Sequence, residues 1–339
     1  MIAQLSRNYL KARPGKLIPR LYAYFLVEGR PATTKGRWFN KLTFAFLRSA
    51  AKTESGNEAE SPLFITGTGR SGSTILGMTL SLHPDVLLLN EPKALWYLAN
   101  KQDDIIGSYS RNGGRYVMSG KDLIDGCAQF IKGVYSKSLR LTGSKKIVDK
   151  YPEMLFRTDY LSGIFENPKF VFLTRNAADT ISSTFKWSQT HGDAVKNEDW
   201  WGVNGMKWNL MVEQVVPKDE LLSPHLDVIR GLKSDIDKAA VEWIVSMNQG
   251  LKEILKYPDR ILRVRYEDVC KNSDHELGRI CDFAGLPRNE LVFEYGRQVI
   301  KEQTTHKIPE VHPLLKTIIE KVSHKLGYGT KPEVISVVE

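Results

Sequence analysis

The sequence predicts an α/β fold, an open parallel β-sheet covered by helices on both faces. Three observations carry this expectation. The run Leu63-Phe64-Ile65-Thr66 meets a glycine-rich turn, Gly67 to Gly72, that leads into an apolar-periodic segment from Ile75 to Leu82. Short apolar runs bounded by turn residues then alternate with longer segments of helical period along the chain. Three of the strands end in charged clusters, at Arg70, at Asp149-Lys150 and at Arg175. In such sheets ligands gather where the strands end.

The elements follow in order. Residues 1–50 read as amphipathic helix, with Tyr22, Tyr24, Phe25, Trp38, Phe44 and Phe46 set among basic residues. Residues 51–61 are small and polar and read as a linker. After the first strand, loop and helix, His83-Pro84-Asp85 stops the helix. Val86 to Leu89 is a buried-strand run, and Pro92 to Asn100 is helical. Residues 101–119 are polar and glycine-rich and read as a mobile loop. Asp122 to Ser138 reads as a helix. Lys146 to Val148 is a short strand, and Lys169 to Thr174 is the clearest strand of all. A helix follows to about Lys186. Residues 187–232 read as irregular and hold Trp187, Trp200, Trp201 and Trp208. Asp235 to Lys256 is a long helix, Arg260 to Arg265 a strand and Asp274 to Ala284 a helix ended by Gly285-Leu286-Pro287. Pro313 to Leu326 is the last helix. The expected organisation is a basic arm and linker over 1–60, one domain over 61–330 with a tryptophan-rich insert at 187–232, and a tail from 331 to 339.

Composition narrows the class. The chain has 339 residues, 42% of them hydrophobic, enough for a substantial core. Cys127, Cys270 and Cys281 are widely spaced and form no metal or disulfide pattern. They point to buried thiols and a cytoplasmic, reducing setting. The net charge is +9, and residues 1–52 alone hold eleven Lys/Arg against the single acid Glu28. Such an arm is either a solvated face or attracted to an anionic partner. It could cover the active site, mediate dimerisation or touch a membrane. No run of 18 apolar residues exists and no signal-peptide pattern opens the chain, so a soluble protein is expected.

Two grammars fit the glycine loop. Gly67, Gly69 and Gly72 spell the dinucleotide fingerprint, and Glu91 even stands where a ribose-binding acid belongs. Gly67 and Gly72 before Ser73-Thr74 also spell a P-loop in which serine replaces lysine. Arg70 inside the turn, and two hydroxyls at the helix start, suit a compact oxyanion better than a pyrophosphate. The missing lysine speaks against nucleoside-triphosphate hydrolysis.

Four motifs then carry a family likeness. Phe64 to Thr74 resembles the 5′-phosphosulfate loop of sulfotransferases, and Lys169 to Ser183 resembles their 3′-phosphate element. Val148-Asp-Lys-Tyr-Pro152 is similar to the lysine-proline segment between them. Val264-Arg-Tyr-Glu-Asp268, with Ile280 to Pro287, resembles the later tyrosine-glutamate-aspartate strand and glycine-leucine-proline turn. The likeness spans about residues 62–330. It is nearer the bacterial and Golgi-type branch, which carries arginine in the loop.

The resemblance implies a P-loop-like sulfotransferase fold, and a sulfuryl group moved from 3′-phosphoadenosine 5′-phosphosulfate to a hydroxyl or amine without a metal. It implies that Gly69, Arg70, Ser71, Gly72, Ser73 and Thr74 hold the 5′-phosphosulfate. Arg175 and Ser183 take the 3′-phosphate, and Lys150 stabilises the transferring group. Tyr266 contacts the nucleotide, and Lys307 with Thr304 and Thr305 closes over the 3′-phosphate. Glu91 is the expected base, with His191 as its rival. The four tryptophans either line an acceptor pocket or pack beneath a loop. The acceptor is expected to be a small molecule or glycan, with no specific nucleic acid, and the protein a possible homodimer. Two other classes stay open at this point, a nicotinamide-dependent oxidoreductase and a non-enzymatic nucleotide- or polyanion-binding protein.

Overall fold

A computed structural model describes residues 2–29, 37–110, 113–191, 200–302 and 309–329. Five strands form one parallel sheet: β1 Leu63–Gly67, β2 Val86–Asn90, β3 Lys146–Lys150, β4 Lys169–Thr174 and β5 Ile261–Arg265. Their spatial order is β2-β3-β1-β4-β5. β1 is central, pairing Ile65 with Lys150 on one side and Gly67 with Leu173 on the other. Helices cover both faces, so β1, β2 and β4 are apolar along most of their length, as parallel strands buried on two sides must be, while β3 carries Asp149 and Lys150 at its end.

The alternation of side chains along each strand divides the core. Phe64, Leu87, Leu89, Ile147, Phe170 and Phe172 face one layer, with the helices Cys127–Thr142 and Asp235–Lys256 against them. Ile65, Val86, Leu88, Val148, Val171 and Val264 face the other, against the helices Ser73–Leu80 and Ser273–Ala284. The strand from Lys169 to Thr174 and the helix from Asp235 to Lys256 lie where the periodicity sets them.

Elsewhere the structure departs from the reading. The helix expected from Asp122 begins at Cys127, because Ser119 and Asp122 form a capping box on a separate short turn, Gly120–Asp122. Residues 101–119 are not a loose loop in their described part: Asp103, Ile105, Tyr116 and Met118 are buried, and Arg157 pairs with Asp103 inside the fold. The described part of residues 187–232 is not irregular: the helix Ala177–His191 runs into it, and Met206–Gln214 and Leu226–Gly231 are helical. The helix Glu290–Val299 was not anticipated, although its apolar positions recur at helical spacing. Cys127 and Cys281 are buried and Cys270 is half-buried; none is in a disulfide.

The basic arm has a definite task. It forms the helices Arg7–Ala12 and Leu17–Tyr22, the latter continuing as a wider turn over Ala23–Val27. These lie along β2, whose outer edge is paired by no strand among the described residues. Arg13 Nη1 donates to Leu82 O at 2.7 Å, and Lys16 Nζ to Pro84 O at 3.0 Å and Val86 O at 2.6 Å. Arg20 Nη1 donates to Leu88 O at 3.0 Å, and Asn90 N–H donates to the Glu28 carboxylate at 2.7 Å. Side chains thus satisfy the backbone groups that an unpaired edge would leave bare. Desolvation, with the charge of Arg13 added, pushes the Lys16 ammonium down to about 8.

Arg20 and Glu28 form a fully buried ion pair, 2.5 Å apart. Truncating one partner leaves the other charged and unpaired in the interior. Arg20→Ala should therefore cost about 3–5 kcal/mol of folding stability. Replacing the exposed Lys52 by alanine should change it by less than about 0.5 kcal/mol. Urea denaturation of both variants measures the contrast, and equal effects would remove the pair from its structural role.

Candidate active site

All five strands deliver a predicted site residue to the same edge of the sheet. The glycine loop leaves β1, Glu91 follows β2, Lys150 ends β3, Arg175 follows β4 and Tyr266 follows β5. The register brings them into line. Asn90 pairs with Lys150, Lys150 with Ile65, Gly67 with Leu173 and Thr174 with Arg265.

The loop is shaped by what lies against it. Gly67 has φ 141°, and a Cβ there would stand 2.5 Å from the Leu173 carbonyl oxygen. Gly72 has φ 94°, and a Cβ would stand 2.3 Å from the Tyr266 ring. A Cβ on Gly69 would meet the Trp200 ring at 2.4 Å. Each glycine of the apparent dinucleotide fingerprint therefore makes room for this protein's own β4, Tyr266 or Trp200. The helix Ser73–Leu80 starts directly after Gly72, so its first N–H groups point into the loop. Ser71 and Ser73 are buried while Thr74 is exposed, and the Ser71 Oγ has no hydrogen-bond partner among the described residues.

Two guanidinium groups converge beside this loop. Arg70 Nε donates to Ser183 Oγ at 3.1 Å, and Arg175 Nη1 donates to the Arg70 carbonyl at 3.2 Å. Arg175 is buried, stacks over Tyr266 with 4.8 Å to the ring centre, and makes a 3.5 Å contact with Asp179. Its Nε has no hydrogen-bond partner among the described residues. Desolvation first, and the like charge of Arg175 second, hold the Arg70 guanidinium below its ordinary value, with Glu91 opposing. Cations placed in this way attract an anion.

Glu91 and Lys150 make the second half of the site. Glu91 Oε1 and Lys150 Nζ are 2.5 Å apart, and Lys150 is almost wholly buried. The Glu91 N–H donates to the Lys150 carbonyl at 2.7 Å, and Lys93 Nζ lies 3.7 Å from the other carboxylate oxygen. Glu91 has φ 51° and Arg70 φ 64°. Non-glycine residues in this region cost of order 1–3 kcal/mol each and concentrate at working sites. The Glu91 turn is gripped from behind: Glu28 accepts from Asn90 N–H through its carboxylate and from Ala94 N–H through its carbonyl.

The tryptophans divide two and two. Trp201 and Trp208 are buried and pack edge to face at 5.9 Å. Trp187 and Trp200 are half-buried, 5.3 Å apart, on the side of Gly69. Trp200 Nε1 donates to Glu242 at 2.6 Å, and the buried Lys207 bridges Glu242 at 2.6 Å and Glu153 at 3.0 Å. His191 ends the helix Ala177–His191, but its side chain lies outside the described residues, as do Thr304, Thr305 and Lys307. The structure thus brings together Glu91, Arg70, Lys150, the loop residues, Arg175, Ser183 and Tyr266.

Several supporting residues escape a reading by motif. Trp243 Nε1 donates to the Arg175 carbonyl at 2.9 Å. Glu267 accepts from the Asn176 N–H at 2.9 Å and from the Tyr328 hydroxyl at 2.9 Å, tying the ends of β4 and β5 to the last helix. Glu28 carried one available signal, as the only acid among eleven cations. Trp243 and Tyr328 carried none, since their partners are distant in sequence.

Fold and edge together describe an α/β protein with a parallel sheet whose strand ends carry Arg70, Lys150 and Arg175. A family model described as "Sulfotransferase family" matches residues 62–215 and 222–290, and the chain belongs to that family. A relative from Caenorhabditis briggsae, named "Putative protein-tyrosine sulfotransferase", is 21% identical over 237 residues, 70% of this chain and 69% of its own. The sulfotransferase domain from the curacin biosynthetic pathway superposes with a TM-score of 0.50 at 17% identity, over 80% of this chain and 99% of its own. Sulfotransferase STF9 from Mycobacterium avium gives 0.48 at 10% identity, over 97% and 93%. The activity class is accordingly sulfuryl transfer.

Behind Lys150, Asp149 is fully buried, its Oδ2 accepting from Trp96 Nε1 at 3.0 Å and Tyr135 OH at 2.8 Å. Desolvation outweighs these bonds and pushes its carboxyl from an ordinary 3.8 up to about 7. The unfolded chain releases this proton near 3.8 while the folded chain keeps it to about 7. Stability from this group is complete below the lower value and lost as pH rises through the upper one. Asp149→Asn removes the titration. The melting temperature of the native protein should therefore fall relative to the variant as pH rises from 3.8 to about 7 and level off above that. A pH-independent difference would show an ordinary carboxyl.

Proposed function

We propose that the protein transfers the sulfuryl group of 3′-phosphoadenosine 5′-phosphosulfate to an acceptor hydroxyl or amine. The observation that carries this reading is the pair of adjoining anion cradles. One is the loop with Arg70, Ser71, Gly72, Ser73, Thr74 and the start of the helix Ser73–Leu80. The other is Arg175 with Ser183. Ser71 Oγ and Arg175 Nε, which have no hydrogen-bond partner among the described residues, fit a donor with phosphate at both ends of its ribose.

The geometry supports the following roles. The acceptor oxygen or nitrogen attacks sulfur as the bond from sulfur to the 5′-phosphate oxygen breaks, and the phosphate oxygen keeps the electron pair. Arg70, Lys150 and the loop N–H groups meet the charge that develops there. Glu91 takes the acceptor's proton. Its carboxylate lies 2.5 Å from Lys150 Nζ, beside the group proposed to meet the transferring charge. Products are the sulfated acceptor and adenosine 3′,5′-bisphosphate. Trp187 and Trp200, beside Gly69, supply an apolar wall for an acceptor.

Thermal shift with adenosine 3′,5′-bisphosphate tests the donor. At 100 times its dissociation constant, the ligand should add about 2.7 kcal/mol of stability, with or without a chelator. A shift with NAD(P) alone would overturn the reading. Arg175→Ala should weaken this binding by about 1.5–3 kcal/mol, the usual worth of a charge-assisted bond.

Glu91→Gln tests the base separately. Bisphosphate binding should persist while its release from the donor, across a panel of tyrosyl, phenolic, sugar and lipid alcohols, falls by about 10²–10⁴-fold. Undiminished turnover would move the base to His191 or to the acceptor's own ionisation.

A further inference from the structure

We infer that the outer face of the helix Asn40–Ala50, with the turn before it, docks on an anionic lipid surface. This helix buries Thr43, Leu47 and Ala50 against the body of the protein. On its other side Lys41, Leu42, Ala45 and Arg48 are exposed. Trp38, in the preceding turn Arg37–Phe39, is 80% exposed, and Leu42, four residues on, is 53% exposed. Neither a tryptophan nor a leucine gains from standing in water.

The patch is wider than these two residues. The rings of Tyr24 and Phe25 are 5.2 Å apart, those of Phe25 and Phe39 5.8 Å, and those of Phe39 and Trp38 5.3 Å. The Thr43 hydroxyl donates to the Phe25 carbonyl at 3.0 Å, which fastens the helix to this aromatic row. All four rings keep some exposure.

Charge selects the occupant. Arg30, Lys35, Arg37, Lys41, Arg48 and Lys52 are the only charged residues between positions 29 and 53. The cations that cap the β2 edge, Arg13, Lys16 and Arg20, belong to a different face, and Glu28 is committed to Arg20. An amphipathic helix with tryptophan, leucine and basic residues on its outer side suits the headgroup boundary of an anionic membrane. A second copy of the chain is a poorer fit. A two-fold interface would set this patch against itself and bring like charges together. No helix among the described residues is long and apolar enough to cross a membrane, so the contact is peripheral.

The test is co-sedimentation of the full chain with phosphatidylcholine vesicles, with and without phosphatidylglycerol. The protein should partition onto the anionic vesicles at low salt, and less as salt rises. Each basic residue near such a surface is worth about a factor of five, so Lys41→Ala with Arg48→Ala should lower partitioning about thirtyfold. Trp38→Ser with Leu42→Ser should lower it as well. Leu255→Ser, at a residue 84% exposed on another helix, should leave it unchanged. All variants should keep the melting temperature of the parent. Failure to bind anionic vesicles at low salt, or binding that survives both double variants, would overturn the inference. So would a dimer dissolved by Trp38→Ser, or preference for a single-stranded oligonucleotide over the vesicles.

Discussion

Parallel pairing is the constraint on which the rest of this molecule depends. Five strands running one way finish on one edge, and each contributes a loop or residue there. Every return must then cross a face of the sheet as helix, which buries the strands on both sides. The core and the site thus follow from the same fact. Apolar side chains fill the two faces, and the polar groups that finish the strands have nowhere else to gather.

The edge works because it is braced against its own charge. Arg70 and Arg175 touch, Lys150 ends the strand beside β1, and each has its own partner. Lys150 is paired with Glu91, Arg175 is stacked on Tyr266 and bonded through its carbonyl to Trp243, and Arg70 reaches Ser183. Positive φ at Arg70 and Glu91 shows that the surrounding fold, and not local preference, sets these two backbones. Behind Glu91 stands Glu28, so the N-terminal arm and the site form one network of buried polar groups.

That network changes the meaning of the basic arm. Read as composition, eleven cations against one acid describe an undivided positive stretch. The fold gives members of that stretch different places. Arg13, Lys16 and Arg20 substitute for a missing sixth strand by donating to the carbonyls of residues 82 to 88. Lys41 and Arg48 lie instead on the exposed side of the helix Asn40–Ala50, in the same stretch as the exposed Trp38 and Leu42. The tryptophan-rich stretch divides likewise, with Trp201 and Trp208 in the core and Trp187 and Trp200 beside the loop.

The sequence by itself determined the fold class, the position of all five strands and the residues that end them. Strand and loop signals are local, and Arg70, Glu91, Lys150, Arg175 and Tyr266 could be located because each stands next to one. It placed the helix after Ser119 too early and left out the helix Glu290–Val299, since capping and packing decide such boundaries. Only the tertiary structure decided the pairings across the edge: Glu91 with Lys150, Arg70 with Ser183, Gly72 beneath Tyr266 and Glu28 behind Asn90. The glycines show why. GxGxxG states that three side chains are absent, but a chain read in one dimension cannot say what fills their space. Here the space belongs to Leu173, Trp200 and Tyr266, brought in from distances of about a hundred residues or more by the parallel crossovers.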